Sequence, residues 1–398
     1  MDNPRRTIHV LSIFGTRPEA VKMAPVIQAL AQHPQIVAQV CVTAQHRQML
    51  DQVLDLFQIK PDLDLDLMRP NQSLAELTAA VFTRLDPVLA ELRPDWVLVQ
   101  GDTTTVMAAA LLAYYRRIRI GHVEAGLRTF DKWQPFPEEI NRRVAGVVAD
   151  LHFAPTQWAR SNLIREGVPE EQVVVTGNPV IDALRMVASR PPTPEVLALL
   201  QELGVSGAAS KDGQASGRRL VLITAHRREN FGRPLENICR ALRFLATSYG
   251  PEVQFVYPVH LNPNVQEPVY RLLSDIPNIT LLPPLDYLPL VHLLQAASLV
   301  LTDSGGLQEE APGFGVPVLV LRQVTERPEG VEAGTVRLVG TDSEQIIFEA
   351  RRLLDDPQAH AAMAQAVNPY GDGHAAGRIV QALLEHTPGS ERDGLQAG

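Results

Sequence analysis

Short apolar runs alternate with helical patterns along most of this 398-residue chain, and this alternation limits its fold more than any other feature. Residues 7–13 and 96–100 are typical runs, because each ends in glycine and small polar residues before a helical pattern begins. The alternation stops in residues 190–218, which are rich in proline, glycine, alanine and serine, and restarts at residue 220. Strands that alternate with helices form parallel sheets with right-handed crossovers. The sequence therefore predicts an α/β fold with two doubly wound parallel sheets.

Polar and charged residues follow the predicted strands. They are Arg17, Gln45, His46, Asp102, Glu124, Arg128, His226, Arg227, His260 and Ser304–Gly306. Any one of them alone fits a helix cap or an ordinary loop residue. Their position after seven strands in two domains favours a ligand site in the cleft between the domains, because open α/β sheets bind ligands at the carboxyl ends of their strands.

The stretch 299–328 is the best candidate for a phosphate site. Its strand ends at Ser304-Gly305-Gly306, and a helical pattern follows directly. The free N–H groups and positive dipole of a helix start suit phosphate, and glycine allows an anion to approach the backbone. In the alternative interpretation, Asp303 or Ser304 only caps the helix and the glycines only form the turn.

Further residues complete a pattern that suits a sugar nucleotide. Arg17, His226 and Arg327 offer positive charge for a diphosphate, and Glu310 can accept hydrogen bonds from ribose hydroxyls. The first domain contributes three carboxylates, which are Asp102, Glu124 and Glu138. Neighbouring, partly buried carboxylates can differ in pKa, so that one acts as an acid and another as a base.

Composition excludes several other classes of partner. The net charge of −9 argues against nucleic acid and anionic membranes. Cys41 and Cys239 stand alone in apolar patterns, without zinc or disulfide spacing. No Gly-x-Gly-x-x-Gly follows the first strand and no apolar run approaches a membrane span. We expect a soluble cytoplasmic protein with no metal or other cofactor, and a polar, disordered tail at 387–398.

Ten motifs carry a resemblance along nearly the whole chain. They are GTRPEAVKMAP at 15–25, TAQHRQML at 43–50, VQGDTTT at 99–105, HVEAGLRT at 122–129, FPEEINRR at 136–143, TGNPVID at 176–182, TAHRREN at 224–230, YPVHLNP at 257–263, LTDSGGLQEEAP at 301–312 and TERPEG at 325–330. In these motifs and their order, the chain resembles the bacterial non-hydrolysing UDP-N-acetylglucosamine 2-epimerases.

The resemblance implies a glycosyltransferase-B-like architecture of two Rossmann-like domains with the active site in the interdomain cleft. The first domain would span residues 1–185 and the second, which binds UDP, residues 186–369. The final helix, at about 370–386, would join the first domain. The resemblance also implies a homodimer that interconverts UDP-GlcNAc and UDP-ManNAc and supplies precursors for cell-surface polysaccharide.

In that family, UDP leaves by anti elimination, and the bound 2-acetamidoglucal takes it back with protonation on the opposite face. The resemblance makes Asp102, Glu124 and Glu138 the acid–base candidates and leaves their individual roles open. It places Arg17 and the catalytic His226 at the diphosphate, with Lys22 in support. The residues implied to hold UDP are Ser304, Gly305, Gly306, Glu310 and Arg327, with Leu285 and Leu290 standing where the family often has Gln and Phe near uracil.

Some bacterial members bind a second UDP-GlcNAc as an activator beside the active site. The matching residues here are Gln45, Gln48, Gln72, Glu138, Arg227 and His260, and Asn71 replaces an arginine of those members. The resemblance therefore implies activation by the substrate.

Three other functions fit parts of the same pattern. A glycosyltransferase would share the fold, and a hydrolysing epimerase would release UDP and free ManNAc. A non-catalytic sugar-nucleotide sensor would need the phosphate and ribose contacts without the three carboxylates. The joint presence of Asp102, Glu124 and Glu138 disfavours the sensor, and the chain shows no obvious acceptor groove for a transferase.

Overall fold

The computed structural model describes residues 7–43, 47–69, 72–205 and 217–387. The chain divides into two compact units: unit 1 is Met1–Ala183 with Tyr370–Gly398, and unit 2 is Leu184–Pro369. Each unit contains one parallel sheet with helices between its strands. The predicted α/β fold with two doubly wound, Rossmann-like domains is confirmed.

Unit 1 contains a seven-stranded sheet in the order β3-β2-β1-β4-β5-β6-β7. Its strands are β1 (Ile8–Phe14), β2 (Ile36–Val42), β3 (Leu63–Asp64), β4 (Trp96–Gln100), β5 (Arg119–Val123), β6 (Leu151–Ala154) and β7 (Val173–Val175). The helices that follow them in the chain are α1 (Arg17–Gln32), α2 (Arg47–Phe57), α3 (Leu74–Leu92), α4 (Thr104–Tyr115), α5 (Glu138–Val148), α6 (Gln157–Arg165) and α7 (Pro179–Ala188).

Unit 2 begins within α7, continues with α8 (Pro194–Glu202) and contains a six-stranded sheet in the order β10-β9-β8-β11-β12-β13. Its strands are β8 (Arg219–Thr224), β9 (Val253–Pro258), β10 (Ile279–Leu282), β11 (Ala297–Thr302), β12 (Val318–Val320) and β13 (Val336–Leu338). Its other helices are α9 (Arg233–Tyr249), α10 (Pro263–Leu273), α11 (Tyr287–Ala296), α12 (Gly305–Glu310), α13 (Pro328–Glu332), α14 (Ser343–Asp355) and α15 (Pro357–Ala364).

The last helix, α16 (Ala375–Glu385), packs within unit 1. The side chain of Asp182 accepts hydrogen bonds from the backbone N–H groups of Ala375 (3.2 Å) and Ala376 (2.9 Å). Trp96 Nε1 donates to Thr387 Oγ1 at 2.8 Å. These contacts satisfy two N–H groups at the start of α16 and attach its end to β4.

The structure shows a helix in the segment 190–218, where the sequence pattern is interrupted, and it does not describe every residue of the remaining non-repetitive segments. The segment 190–218, which is rich in proline and glycine, contains α8, and the N-terminus of α8 has a Thr193 cap followed by Pro194. Val196 and Leu200 of α8 are buried, so the threonine–proline pair is the start of an amphipathic helix. Residues 206–216 of the same segment lie outside the described residues, and the predicted tail at 387–398 does so except for Thr387.

The turn between β1 and α1 is fixed by a buried carboxylate. Glu19 Oε2 accepts the backbone N–H groups of Gly15 (2.9 Å) and Thr16 (2.7 Å), while Thr16 Oγ1 accepts that of Glu19. This capping box closes the first turn of α1. Thr103 Oγ1 donates to Glu19 Oε1 at 2.6 Å, which links this turn to the turn between β4 and α4. The carboxyl ends of β1 and β4 are therefore held in a fixed relation.

Two buried histidines lie side by side on β5 and β6, where His122 and His152 are register partners. Burial lowers the pKa of His122 to about 4 and that of His152 to about 3. His122 Nε2 lies 2.7 Å from the carbonyl oxygen of Gly101, to which it donates, and its Nδ1 has no partner among the described residues. Both histidines are therefore neutral at pH 7 in the folded protein.

No helix among the described residues is long and apolar enough to cross a bilayer.

The free energy of unfolding of unit 1 is expected to fall as the pH decreases from 6.5 toward 5. The unfolded chain protonates His122 near pH 6.5, whereas the folded chain does so only near pH 4, so the unfolded state binds more protons in this window. His122→Gln should reduce the slope of the free energy of unfolding against pH by up to about 1.4 kcal/mol per pH unit. Urea unfolding followed by tryptophan fluorescence measures it, because all three tryptophans lie in unit 1.

The control is His9→Gln, which removes an exposed histidine from β1 of the same sheet. An unchanged slope in His122→Gln would contradict the assignment of His122 as a neutral core residue.

Candidate active site

In unit 1, the central feature is the buried carboxylate of Glu124, directly after β5. Lys22 of α1 places Nζ at 2.6 and 2.7 Å from its two oxygens. Gln100 Nε2, at the end of β4, donates to Glu124 Oε2, and Asn178 Nδ2 donates to Oε1 at 2.9 Å. The side chain of Glu124 is 4% exposed and that of Lys22 is 14% exposed. Three side chains from different elements therefore neutralise and orient one carboxylate.

The backbone of Glu124 is also unusual, because its φ is +63°. A non-glycine residue in the left-handed region costs on the order of 1–3 kcal/mol, and such residues cluster at functional sites. The hydrogen bonds from Lys22, Gln100 and Asn178 stabilise the side chain in the direction that this backbone imposes.

Asp102 follows β4, the neighbour of β5 in the sheet. Its carboxylate pairs with the guanidinium of Arg142 from α5, and its carbonyl oxygen accepts a hydrogen bond from Asn141 Nδ2 at 3.0 Å. A Cβ built on Gly101 would lie 3.7 Å from Glu124 Oε2, so this turn adjoins the Glu124 carboxylate. The structure therefore brings Asp102, Glu124 and Lys22 together at the carboxyl ends of β4 and β5.

Glu138 and Glu139 begin α5 and occupy different environments. Glu139 is fully buried and accepts the backbone N–H groups of Thr129 (3.1 Å) and Phe130 (3.2 Å). Glu138 is half-buried and makes no hydrogen bond or ion pair within the described part of the chain. Glu139 is thus the structural carboxylate of this pair, and Glu138 is the one available to a ligand.

Arg17 and Arg128 differ in their accessibility. Arg17 is the first residue of α1 and half-buried, one turn before Lys22. Arg128, a polar residue that the sequence places at a strand end, is buried and forms an ion pair with Glu166 at 2.7 Å. Its Nη1 also donates to the carbonyl oxygen of Leu127. Arg128 therefore stabilises the loop after β5, and its place among the ligand-site residues stays a prediction.

In unit 2, the ends of β8 and β11 are joined by Asp303, which is fully buried. Its Oδ2 accepts the backbone N–H groups of His226 and Arg227, both at 2.8 Å, and Asn230 Nδ2 at 3.0 Å. The N-cap residue of α12 is Ser304, which makes no side-chain cap bond. The interpretation of Asp303 or Ser304 as a simple helix cap is therefore wrong. The carboxylate instead fixes the loop that carries His226.

The imidazole of His226 lies between this carboxylate and a second histidine. Its Nδ1 is 3.5 Å from Asp303 Oδ1, and its ring stacks on that of His260 with centroids 5.4 Å apart and planes 10° apart. Burial lowers the pKa of His226, and the charge of Asp303 opposes this effect. His226 is therefore neutral at pH 7, and it acts on an anion as a hydrogen-bond donor unless a ligand adds negative charge.

Arg327 is held over the glycines of the 304–306 turn. Its Nε donates to Glu309, and its Nη1 donates to Glu326 Oε1 at 2.8 Å. A Cβ on Gly305 would lie 2.5 Å from Nη1 of Arg327, so the open side of this glycine is occupied by the guanidinium. The predicted reason for a glycine here was the approach of an anion. The structure adds that Gly305 makes room for the arginine.

Glu326 pairs with three arginines at this edge of the sheet. It lies 2.7 Å from Arg322, 2.8 Å from Arg327 and 3.7 Å from Arg227. Burial opposes ionisation, but the three guanidinium groups lower the pKa of Glu326 to about 2. Glu229 also pairs with Arg322, and Glu309 with Arg327. Three guanidinium groups are therefore gathered, with their carboxylate partners, where an anionic ligand is predicted.

Glu310, the predicted ribose acceptor, is buried and accepts a hydrogen bond from the hydroxyl of Tyr287 at 3.1 Å. Leu285, two residues before α11, and Leu290, within α11, are half-buried on either side of Tyr287 in the chain. Sequence analysis missed Tyr287. Its position between the two leucines at the uracil positions was the available signal.

The residues of the implied activator site are only partly described. Gln45, Asn71 and the side chain of Gln48 lie outside the described residues. Gln72 Oε1 accepts the backbone N–H of Arg69 at 3.4 Å. Arg227 approaches Glu326, and the exposed His260 stacks on His226. In the part of the chain that the structure describes, no three histidine, cysteine, aspartate or glutamate residues are grouped to hold a metal ion.

Comparison with known proteins gives a consistent result. A family model for "UDP-N-acetylglucosamine 2-epimerase" matches residues 28–384. The UDP-N-acetylglucosamine 2-epimerase of Salmonella typhimurium is 54% identical over 377 residues, which cover 95% of this chain and 98% of that protein. The crystal structure of the Neisseria meningitidis UDP-GlcNAc 2-epimerase bound to UDP-GlcNAc is 48% identical, with a TM-score of 0.85 over 95% of this chain and 100% of that one.

A more distant relative has the same fold. The UDP-GlcNAc 2-epimerase of Methanocaldococcus jannaschii, in complex with UDP-GlcNAc and UDP, is 32% identical with a TM-score of 0.77 over 95% of this chain and 100% of that one. The predicted family and the predicted enzyme class are confirmed by a match that extends over nearly the whole chain. This chain belongs to the UDP-N-acetylglucosamine 2-epimerase family.

Proposed function

We propose that this enzyme interconverts UDP-GlcNAc and UDP-ManNAc without hydrolysis. A base removes the proton from carbon 2, the bond between carbon 1 and the phosphate oxygen breaks with its electrons going to UDP, and 2-acetamidoglucal remains. UDP then bonds to carbon 1 again while an acid protonates carbon 2 on the opposite face. The main support is the grouping of Asp102 and Glu124 at adjoining strand ends. Glu138 begins α5, the helix whose Asn141 and Arg142 contact Asp102.

The carboxylates of unit 1 are suited to the proton transfers. Glu124 is held by Lys22, Gln100 and Asn178, so its orientation is fixed before substrate binds. Asp102 is paired with Arg142, and Glu138 has no partner among the described residues. The three carboxylates thus differ in environment, as an acid–base set requires.

Unit 2 is suited to the leaving group. We assign the diphosphate to His226 and Arg17, and UDP to Ser304, Gly305, Gly306, Glu310 and Arg327. The charge that develops on departing UDP needs N–H donors and cations, which the arginines around Glu326 supply. Leu285 and Leu290 would contact uracil through apolar surface. The relatives crystallised with UDP-GlcNAc and UDP support UDP-GlcNAc and UDP as the ligands.

We also propose that UDP-GlcNAc activates the enzyme from a second site formed by Gln45, Gln48, Gln72, Glu138, Arg227 and His260. The supporting observation is the stack of His260 on His226, because it joins a residue of the implied activator site to one at the diphosphate. A ligand that contacts His260 would change the surroundings of the catalytic imidazole.

A homodimer is proposed from an exposed apolar face on unit 1. Tyr114 and Tyr115 at the end of α4 are 58% and 60% exposed, and Val147 of α5 is 85% exposed. Tyr115 also packs edge-on against Phe82 of α3, with ring centroids 6.2 Å apart. Large apolar side chains grouped on neighbouring helices are typical of a protein interface. The second copy of this chain is the proposed partner.

The setting of the reaction is part of the same proposal. Cys41 and Cys239 are free and buried, which fits a reducing compartment, and we place the enzyme in the cytoplasm. UDP-ManNAc would supply cell-surface polysaccharide. We propose no metal or other cofactor, because the reaction as written balances with protons and UDP alone.

The first prediction is that purified enzyme converts UDP-GlcNAc in heavy water to UDP-ManNAc with deuterium at carbon 2, as measured by proton NMR. Asp102→Asn, Glu124→Gln and Glu138→Gln should each lower kcat by about 10²- to 10⁴-fold, the usual contribution of an acid or base. Glu91→Gln, at an exposed position of α3, is the control. Release of UDP with free ManNAc would identify a hydrolysing epimerase. Transfer of the sugar to an acceptor would identify a transferase, and binding of UDP without turnover would identify a sensor.

The second prediction concerns activation. Initial rates should rise sigmoidally with UDP-GlcNAc, and UDP-ManNAc alone should turn over only after UDP-GlcNAc is added. Gln72→Ala should make the curve less sigmoidal with little loss of kcat. A hyperbolic curve, together with turnover of UDP-ManNAc alone, would exclude the activator site.

The third prediction is that the wild-type enzyme sediments as a dimer and that Tyr115→Glu with Val147→Glu sediments as a monomer, because charge on both sides of a symmetric contact repels. The control is Phe348→Glu, which removes a 63% exposed aromatic residue from α14 of unit 2. A dimer that persists in the double variant would place the interface elsewhere.

A further inference from the structure

The Asp303 carboxylate has one oxygen that the loop does not use. Oδ2 accepts three hydrogen bonds, whereas Oδ1 is buried and has no hydrogen-bond partner in the described part of the chain. Leaving a buried charged oxygen without a partner costs free energy. Nδ1 of His226 lies 3.5 Å from Oδ1. The charge of Asp303 also acts on buried Tyr257, but the hydroxyl of Tyr257 donates to the carbonyl oxygen of Ala225.

The surroundings of Asp303 aim this oxygen at the imidazole. Asn230 is buried and uses one amide group for two contacts, donating to Asp303 Oδ2 at 3.0 Å and to the carbonyl oxygen of Leu321 at 3.1 Å. The carboxylate is thus anchored to the loop after β8 and to the end of β12. His260 contacts the face of the His226 ring and fixes its plane.

We propose that Asp303 is the positioning residue of His226. Its Oδ1 accepts a hydrogen bond from Nδ1–H, fixes the ring in one tautomer and leaves Nε2 as the nitrogen directed at the ligand. When His226 becomes protonated beside a departing diphosphate, the same carboxylate stabilises the imidazolium. Hydrogen bonds of this kind are often long without substrate and shorten in the reacting complex, which fits the 3.5 Å separation. The catalytic part of this inference rests on the proposed function, whereas the pairing itself does not.

The charged and titratable groups that face His226 are Asp303 from the end of β11, His260 from the end of β9 and Arg227 beside it in the chain. Asp303 raises the pKa of His226, and His260 and Arg227 lower it. Removing the Asp303 charge should therefore lower the pKa of His226. The charge of Asp303 acts on this pKa whatever the role of the residue, so the tautomer separates the two roles. If Asp303 served only to hold the loop, an uncharged isostere that still accepts N–H bonds would leave the tautomer of His226 unchanged.

The experiment compares wild-type enzyme with Asp303→Asn by NMR of histidine labelled with ¹⁵N in the ring, with the His226 signal assigned by its loss in His226→Gln. The wild type should show the Nδ1–H tautomer at neutral pH. Asp303→Asn should lose this preference and lower the pKa of His226 by about one unit or more, the usual effect of one adjacent charge. The control is Asp182→Asn, which replaces another buried aspartate that accepts two backbone N–H groups.

Two results would overturn the proposal. One is an Nε2–H tautomer in the wild type, a measurement that remains decisive if Asp303→Asn does not fold. The other is a folded Asp303→Asn in which the tautomer and the pKa of His226 are unchanged.

Kinetics separate this inference from the proposed function. In an active enzyme, Asp303→Asn should lower kcat by about tenfold or more, shift the pH profile with the pKa of His226 and change KM less than kcat. If the NMR changes occur but no epimerisation is found in the wild type, the pairing stands and the proposed reaction fails.

Discussion

A buried negative charge on Glu124 is the constraint on which the architecture of unit 1 depends. A single carboxylate connects the ends of three βα units, because its partners are Lys22 of α1, Gln100 of β4 and Asn178, which directly precedes α7. Removing one partner of a buried ion pair typically costs about 3–5 kcal/mol, because the other charge stays buried without compensation. The site and the fold of unit 1 are therefore stabilised by the same contacts.

Unit 2 solves a similar problem with several carboxylates. Asp303 holds the loop of His226, Glu309 and Glu326 hold Arg327, and Glu310 is oriented by Tyr287. Asp303, Glu309 and Glu326 thus each fix a residue that the reaction is proposed to use, whereas Glu310 is itself such a residue. Acidic residues thus surround a site for an anionic ligand, and three of them, Glu229, Glu309 and Glu326, pair with the arginines gathered there.

The sequence predicts the strands and the residues at their ends, because apolar runs and glycine turns are local signals. It also indicates the family, since the motifs carry most of the residues at the site. It does not predict the partners. Asn178 lies 54 residues from Glu124, and His226 lies 77 residues from Asp303, so these contacts depend on which strands become neighbours in the sheet. The helix α8 was missed for another reason: its start looks like a proline-rich loop, and burial of Val196 and Leu200 decides the structure.

The packing of Arg327 against Gly305 has an evolutionary consequence. Any side chain at position 305 would overlap the guanidinium, at a distance of 2.5 Å from the nearest atom. Positions 305 and 327 therefore cannot be substituted independently of each other. A lineage that acquires alanine at 305 would have to give up or redirect the arginine, together with the pairing of Glu309 and Glu326 that holds it. Co-variation of these four positions among relatives would therefore record steric compatibility, even where the sugar nucleotide that the enzyme uses has changed.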